Sequence, residues 1–216
     1  MLLKNKFIFL EALLITILIF VIGIFIGISI ENKNNYNSQV FYMNSEADLM
    51  DSYILTNLIS EEKNCDIVTK ETINFANKVY EKSLLLEDYD KFALLMDDLT
   101  MLNKRYTLMK TFLWKSNLDN LNCLNNTKMI VYLYNYNTDD LAIEAEQNVW
   151  SRLLMQIKQD DKNLILLPIA ANLDVSSLDF ILNEFNIEKV PAVIVNNKEI
   201  FYDLEKKDDL KNIIYN

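Results

Sequence analysis

The feature that most constrains this chain is a long stretch without helix-breaking residues. From Ser45 to about Leu121 the sequence contains neither proline nor glycine. These two residues destabilise helix interiors more than any others, so their absence favours long helices. We predict one helix from Ser45 to about Ser60 and a second from Asp66 to about Leu85, each beginning at a side chain that can cap a helix.

A heptad stripe predicts a third helix, from about Asp88 to Asn117. Apolar residues recur there at alternating spacings of three and four, which is the pattern of one helix face. We expect this face to pack on the preceding helix as an antiparallel hairpin, because only a short connection follows Leu85. An intermolecular coiled coil is the alternative. The stripe comprises Phe92, Leu95, Leu99, Leu102, Tyr106, Met109 and Leu113.

The hairpin also accounts for the two cysteines of the chain. Cys65 lies at the start of the first arm and Cys123 lies beyond the second, so antiparallel arms bring them together. Outside the cytoplasm such a pair oxidises, and we predict a structural disulfide. A catalytic dithiol normally has its cysteines close in sequence, with one thiolate at a helix N-terminus. An exchangeable disulfide that serves another redox protein is the alternative.

The N-terminal region is predicted to anchor the chain in the cell membrane. Residues 7–30 are apolar apart from Glu11, Thr16 and Ser29, and about 20 apolar residues suffice for a membrane-spanning helix. No small-residue cleavage site follows, so we expect a signal-anchor. Lysines within the tail 1–6 place the N-terminus in the cytoplasm and the soluble region outside it, as a single-pass protein.

Two glycines within this span have the GxxxG spacing. Gly23 and Gly27 would let two membrane helices approach closely, so this spacing is compatible with a homodimer as well as with chance occurrence. The polar, asparagine-rich residues 31–44 read as a linker or stalk. We therefore divide the chain into the tail, the anchor, this linker, a helical hairpin region at 45–123, and a C-terminal domain at 127–216.

Composition excludes most classes of enzyme. The chain has no histidine, which removes His-based acid–base catalysis and the common zinc sites. Its two glycines lie in the apolar N-terminal stretch, so the rest of the chain cannot build a glycine-rich nucleotide loop. The net charge of −10 opposes binding to nucleic acid. We predict no catalytic residue, no cofactor and no metal site.

The C-terminal third alternates strand-like and helix-like segments. "KMIVYLYNY" and "NLILLPIAA" read as strands, each followed by a helical pattern that Asp139 or Asp140, and then Asp174, can cap. Pro191 precedes the strand "AVIV", an Asn–Asn turn, the strand "IFY" and a last short helix. The predicted order is β-α-β-α-β-β-α.

This order, with "VPAV" opening the final hairpin, resembles the thioredoxin fold. The resemblance implies that the Val190–Pro191 bond is cis and faces the start of the first helix of the domain. The whole arrangement also looks like a group of archaeal membrane-anchored proteins with a cysteine-flanked helical hairpin before a thioredoxin-like domain. The predicted fold class is an α/β thioredoxin-like domain preceded by an α-helical hairpin and one N-terminal transmembrane helix.

The chain departs from that family at the redox motif. Thioredoxin-fold oxidoreductases carry Cys-x-x-Cys after the first strand, where this sequence reads "YNYNTDDLAIEAEQ". The resemblance therefore implies a redox-inactive domain that binds a protein partner in a groove. The groove residues carried over are Asn137, Asp139, Asp140, Val190 and Pro191. The tyrosines Tyr132, Tyr134 and Tyr136 form a cluster that either lines this groove or lies partly in the hydrophobic core. The alternatives are thiol–disulfide exchange by the cysteine pair, and a spacer or assembly role for the hairpin.

Overall fold

The computed structural model describes residues 2–90, 96–124, 127–161 and 163–215. Within these ranges the side chains at 2–10, 12, 30–42, 85–90, 96–98 and 121 lie outside the description. The predicted stripe residues Phe92 and Leu95, and a glycosylation sequon at Asn125, also lie outside it. The chain separates into two compact units, Met1–Ser45 and Glu46–Asn216.

Helix α1 spans Leu2–Glu61. The segment 31–44 is helical rather than an irregular linker, because no proline or glycine follows Gly27 to end the helix. Ser45 consequently lies inside α1 and does not cap a separate helix. The large apolar side chains between Leu13 and Ile28 are exposed, from 42% at Val21 to 69% at Phe20.

The prediction of a membrane anchor at 7–30 is wrong. No helix among the described residues has the length and apolarity needed to cross a membrane. For the same reason, three related predictions are wrong: the signal-anchor, the membrane as a partner, and a single-pass protein with an extracytoplasmic domain.

The second unit begins with the C-terminal part of α1, which is followed by a pair of helices and one short helical turn. Helix α2 spans Cys65–Asp90, α3 spans Met96–Asp119 and the single turn α4 spans Leu121–Leu124. The side chain of Asn64, rather than Asp66, caps α2, since its Oδ1 accepts a hydrogen bond from the Asp66 N–H at 3.0 Å. The described part of α3 starts at Met96, and residues 91–95 before it lie outside the description.

The stripe on α3 forms the buried face of that helix. Its described members are buried, with exposed fractions from 6% at Leu99 to 0% at Leu113. Helix α3 contacts α2, the strand at Ile165–Ala170 and the helix at Ser176–Glu184. The stripe therefore serves packing within the chain.

The C-terminal region contains a four-stranded sheet and three helices. The strands are β1 Met129–Tyr134, β2 Ile165–Ala170, β3 Ala192–Val195 and β4 Glu199–Phe201. The helices are α5 Leu141–Asp160, α6 Ser176–Glu184 and α7 Lys207–Tyr215, with a 3-10 turn at Leu204–Lys206. The strand order is β2-β1-β3-β4, and β1 is parallel to β2 and antiparallel to β3.

Two asparagines turn the chain from β3 into β4. Asn196 and Asn197 have φ values of 51° and 57°, a left-handed conformation that asparagine tolerates better than most residues. Asp174 takes the same conformation, with φ of 51°. The prediction that Asp174 caps α6 is therefore wrong. Val175 is the N-cap residue, and its side chain makes no cap hydrogen bond.

The predicted fold class is wrong for the chain as a whole. The protein is 71% helical with a small four-stranded sheet, and no described helix meets the requirement for a membrane span. The physical reason is the scarcity of helix breakers, which lets α1, α2 and α3 take most of the described residues. The α/β pattern is confined to the sheet region.

A hydrogen-bonded chain of polar side chains fixes the hairpin to the sheet. Trp114 of α3 is fully buried, and its Nε1 donates to Asn197 Oδ1 at 2.9 Å. Asn197 Nδ2 in turn donates to Asn117 Oδ1 at 2.6 Å. The Trp114 ring also packs against Phe185, with 5.2 Å between ring centroids. The β3–β4 turn is thereby held against α3.

A second link joins the hairpin to α5. Lys158 Nζ donates to Asn77 Oδ1 of α2 at 3.0 Å and to the carbonyl oxygen of Leu164 at 2.6 Å. Burial lowers the pKa of Lys158, although the carboxylate of Asp161 opposes this effect. Hairpin and sheet therefore belong to one compact unit.

Candidate functional site

The two cysteines form a disulfide at the base of the hairpin. Cys65 and Cys123 are bonded to each other, with 4.7 Å between their Cα atoms. Cys65 is exposed as the first residue of α2, and Cys123 is half-buried in α4. Thr69 Oγ1 donates to the carbonyl oxygen of Cys123 at 3.2 Å, which adds a second link between these helices.

The loop after β1 leads into α5 through a capped helix start. Asp140 Oδ1 accepts hydrogen bonds from the N–H groups of Ala142 at 2.9 Å and Ile143 at 3.3 Å. Asp139 is exposed, and neither of these cap bonds involves it. Asp140 is therefore the N-cap, and its carboxylate stabilises the positive end of the helix dipole.

Two amide side chains hold this loop by pairing with its backbone. Gln147 accepts from the N–H of Asn135 at 2.7 Å and donates to its carbonyl at 3.1 Å. Asn172 does the same for Tyr136, at 2.7 and 2.8 Å. Each amide thus satisfies both backbone groups of one residue, as a neighbouring strand would. The adjacent Asn137 is exposed and has a positive φ of 49°.

The proline of the predicted groove lies where β1 ends. The Val190–Pro191 peptide bond is cis. Leu133 pairs with Ala192 in the sheet, so Pro191, one residue earlier, lies beside the start of the loop after β1. Pro191 is buried and Val190 is half-buried. The strand order thus brings both halves of the predicted groove to one end of the sheet.

The backbone beside this proline is unpaired. No residue in the described part of the chain makes a backbone hydrogen bond with Val190, since the β1–β3 ladder begins at Ala192. The neighbouring Lys189 carries the nearest described positive charge on this segment, with its Nζ 5.7 Å from the ring centroid of Tyr202 and 3.6 Å from Asp203 Oδ1. Val190 is therefore a half-buried position with a free edge.

A separate cavity of about 290 Å³ lies between the hairpin, the sheet and α5. Its walls include five tyrosines and one lysine, together with amide and hydroxyl side chains. Asn137 lines it, but the other predicted groove residues do not. The tyrosines are Tyr80, Tyr106, Tyr132, Tyr134 and Tyr136, and the lysine is Lys110.

The tyrosine cluster of β1 is partly core and partly cavity wall. Tyr132 is 4% exposed, and its hydroxyl donates to the carbonyl oxygen of Gln147 at 3.0 Å. Its ring stacks on that of Tyr134, with centroids 5.7 Å apart. Burial raises the pKa of Tyr132, and the nearby Tyr134 and Glu146 add to the effect. The hydroxyl therefore stays protonated at physiological pH.

Tyr106 of α3 is the tyrosine that the sequence pattern assigned to the hairpin core. It is 2% exposed, and it lines the cavity. Burial, assisted by the negative charge of Asp48, raises the pKa of Tyr106 to about 12. Its position in the heptad stripe predicted burial but gave no indication of the cavity, because residues distant in sequence form the other walls.

Two further predicted features lie elsewhere. A Cβ atom added at Gly23 or Gly27 would meet no heavy atom within 4 Å, and a homodimer through these glycines stays a prediction. Within the described ranges, no group of three or more cysteine, aspartate or glutamate side chains could hold a metal ion.

Comparison of this chain with protein-family models, curated proteins and solved structures finds no match.

Proposed function

We propose that this protein is a redox-inactive, thioredoxin-like binding protein that holds an extended segment of another protein beside Val190 and Pro191. The observation that carries the proposal is that no described residue makes a backbone hydrogen bond with Val190, which lies at the end of the β1–β3 ladder. A peptide can add to such an edge by main-chain hydrogen bonds, with side-chain pockets giving specificity.

The strand order and the cis proline support the relationship to thioredoxin-like domains. The Val190–Pro191 bond is cis, as the resemblance implies, and Pro191 lies beside the first residues of the loop that leads into α5. The loop from Asn135 to Asp140 holds no cysteine, and both cysteines of the chain are bonded to each other at the base of the hairpin. Binding without redox chemistry is therefore the reading that fits these residues.

The proposal is tested by selecting short peptides from a displayed random library on the full chain. Peptides held by main-chain pairing lose affinity when alternate backbone nitrogens are methylated, because each methyl group removes one donor. We expect methylation at alternate positions to weaken binding at least about tenfold, which corresponds to roughly 1.4 kcal/mol. Failure to select any peptide, or equal binding of all methylated forms, would contradict the proposal.

Charge variants locate the groove. Asp139→Lys should weaken a selected peptide, because Asp139 is exposed on the loop whose first residues lie beside Pro191. Asp140 needs the substitution Asp140→Asn, since asparagine keeps the helix cap that a lysine would remove. Glu184→Lys is the matched control, as an exposed carboxylate at the end of α6. Equal affinities for the Asp139 and Glu184 variants would place the peptide elsewhere.

A second candidate is thiol–disulfide exchange by Cys65 and Cys123. The observation that favours it is the exposure of Cys65 at the first residue of α2, where the helix dipole stabilises a thiolate. The reduction potential of the pair distinguishes the two roles. A value well above about −300 mV supports exchange, and a lower value supports a structural bond.

A further inference from the structure

We propose that the cavity between the hairpin and the sheet binds a small neutral molecule with several hydroxyl groups on one ring, of the size of a monosaccharide. The cavity does not include Val190 or Pro191, and this inference is independent of the peptide groove. Its volume of about 290 Å³ lies at the lower end of the range for small-molecule sites, which limits the ligand to a compact molecule. The charge, the amide groups and the apolar surface of the walls define its chemistry.

The charge of the described walls favours a neutral ligand. Lys110 is the one charged side chain among the described residues that line the cavity, and it already interacts with another group of the protein. An anionic ligand would have to compete with that interaction. A cationic ligand would find no carboxylate among the described lining residues. Because a charge is costly to remove from water without a partner, a neutral molecule enters such a site more readily.

Amide side chains supply the polar contacts that hydroxyl groups need. A hydroxyl both donates and accepts hydrogen bonds, and an amide side chain offers donors and an acceptor within one group. Two of the amides are half-buried and two are exposed, so they extend from the interior of the cavity to its opening. The half-buried pair is Asn103 and Asn135, and the exposed pair is Asn137 and Asn148.

The half-buried amides keep hydrogen-bonding capacity for a ligand. Asn103 Nδ2 donates to the carbonyl oxygen of Leu99 at 3.0 Å, and this bond does not use Asn103 Oδ1. The two bonds from Gln147 engage the backbone N–H and carbonyl of Asn135, and not its side chain. An acceptor on α3 and an amide at the end of β1 are thus available on opposite walls, and a molecule with several hydroxyls can use both.

The apolar part of the wall distinguishes a ring from an open, fully polar molecule. Leu154 is 1% exposed and Leu166 is 5% exposed, and both line the cavity beside Pro168. The ring of Tyr132 stacks on that of Tyr134, and these two residues also line it. A sugar ring carries hydroxyls at its rim and C–H groups on its faces. It therefore needs apolar and aromatic surface next to polar groups, which is the combination present here.

The experiment is a ligand-observed NMR titration of the full chain with D-glucose, D-galactose and D-mannose, one at a time. Two further probes test the chemistry of recognition. Cyclohexanol keeps a six-membered ring but only one hydroxyl, and the uronate of the best hexose adds a carboxylate. We expect saturable binding of at least one hexose at millimolar concentrations, with cyclohexanol at least about tenfold weaker because most hydrogen bonds are lost. The uronate should bind no more tightly than its hexose.

An amide variant with a matched control assigns the binding to this cavity. Asn103→Leu removes the acceptor at nearly constant volume and should weaken the best hexose about three- to tenfold. Asn120→Leu is the control, since Asn120 is also half-buried and its Nδ2 also donates to the carbonyl four residues earlier, that of Ser116, at 2.8 Å. Asn120 is not among the lining residues, so its variant should bind the hexose as the wild-type protein does.

A second variant fills the cavity from its opening. Ser151 lines the cavity and is exposed on α5, so Ser151→Tyr places a larger side chain there without altering the core. This variant should abolish saturable binding of the hexose. Gln156→Tyr is the control, as an exposed residue of the same helix that does not line the cavity. The pair remains informative if Asn103→Leu does not fold.

Four results would overturn the inference. They are the absence of saturable binding of every hexose, as in a cavity that holds only water, equal affinities for the best hexose and cyclohexanol, tighter binding of the uronate, and equal losses in the cavity variants and their controls. Asp139→Lys should leave binding of the neutral hexose unchanged, although it should weaken a selected peptide. Failure of the cavity is therefore distinguishable from failure of the peptide groove.

Discussion

Removing the disulfide provides the sharpest test of how the hairpin is held. In Cys65→Ser/Cys123→Ser the loop that the bond closes, with a sequence separation of 58 residues, becomes free in the unfolded chain. Loop-closure entropy assigns such a cross-link about 4 kcal/mol at 25 °C. Cys65 is exposed and Cys123 is half-buried, so the two substitutions remove little buried surface. The expected loss in the free energy of unfolding is therefore about 4 kcal/mol.

Urea unfolding followed by tryptophan fluorescence measures this loss. Trp114 lies in α3 and Trp150 lies in α5, and both are fully buried, so the signal reports the hairpin and the sheet together. The variant should also show a larger dependence of free energy on urea, because its unfolded chain is more expanded. The wild-type protein with its disulfide reduced is the control and should match the variant.

A loss below about 1 kcal/mol with an unchanged urea dependence would refute the reasoning. That result would mean that the unfolded chain already keeps the two ends of the hairpin close. A loss in the variant that the reduced wild-type protein does not share would point to the serines themselves.

Two further predictions concern single side chains. Asp140→Ala should lower the free energy of unfolding by about 1 kcal/mol, because two N–H groups of α5 lose their acceptor. The control Asp139→Ala should have little effect. Thermal unfolding of the two variants measures this difference, and equal losses would contradict the prediction. Tyr106 has its pKa raised to about 12 in the folded protein, above the ordinary value of about 10, so stability is retained below pH 10 and falls as the pH rises toward 12. Unfolding measured at about pH 9 and about pH 11 should show a smaller fall in Tyr106→Phe than in Tyr53→Phe, and equal falls would be against it.

Sequence patterns predicted features that depend on local periodicity. The spacing of Leu99, Tyr106 and Leu113 indicated a buried helix face, and all three are buried. The positions of Cys65 and Cys123 indicated a bond at the base of the hairpin, and the structure contains it. Both inferences used only the geometry of one helix or of two adjacent helices.

Local signals were less informative where two residues compete for one role. Asn64 and Asp66 are both good cap residues, and the structure uses Asn64. Asp174 also suits a cap, but it adopts a left-handed conformation instead. Polar composition at 31–44 indicated a linker, although nothing there ends a helix. Composition alone therefore does not decide between a solvated helix and a coil.

The cavity could not be predicted from the sequence. Its walls come from α2, α3, β1, β2 and α5, so its existence depends on how the hairpin packs beside the sheet. Lys110 gave no signal, since a lysine on a helix is normally solvated. Only the packed structure shows that this lysine is 5% exposed and borders a cavity.

The two edges of the sheet have consequences for self-association. An open strand edge offers unpaired N–H and C=O groups to any other chain, which promotes aggregation. Strand β2 forms one edge, where α2 and α3 contact it and Pro168 lacks an N–H to offer. Strand β4 forms the other, and it has only three residues, beginning at the exposed Glu199. The hairpin therefore protects the molecule against growth by strand addition, and a shortened protein without α2 and α3 would expose the longer edge to its own copies.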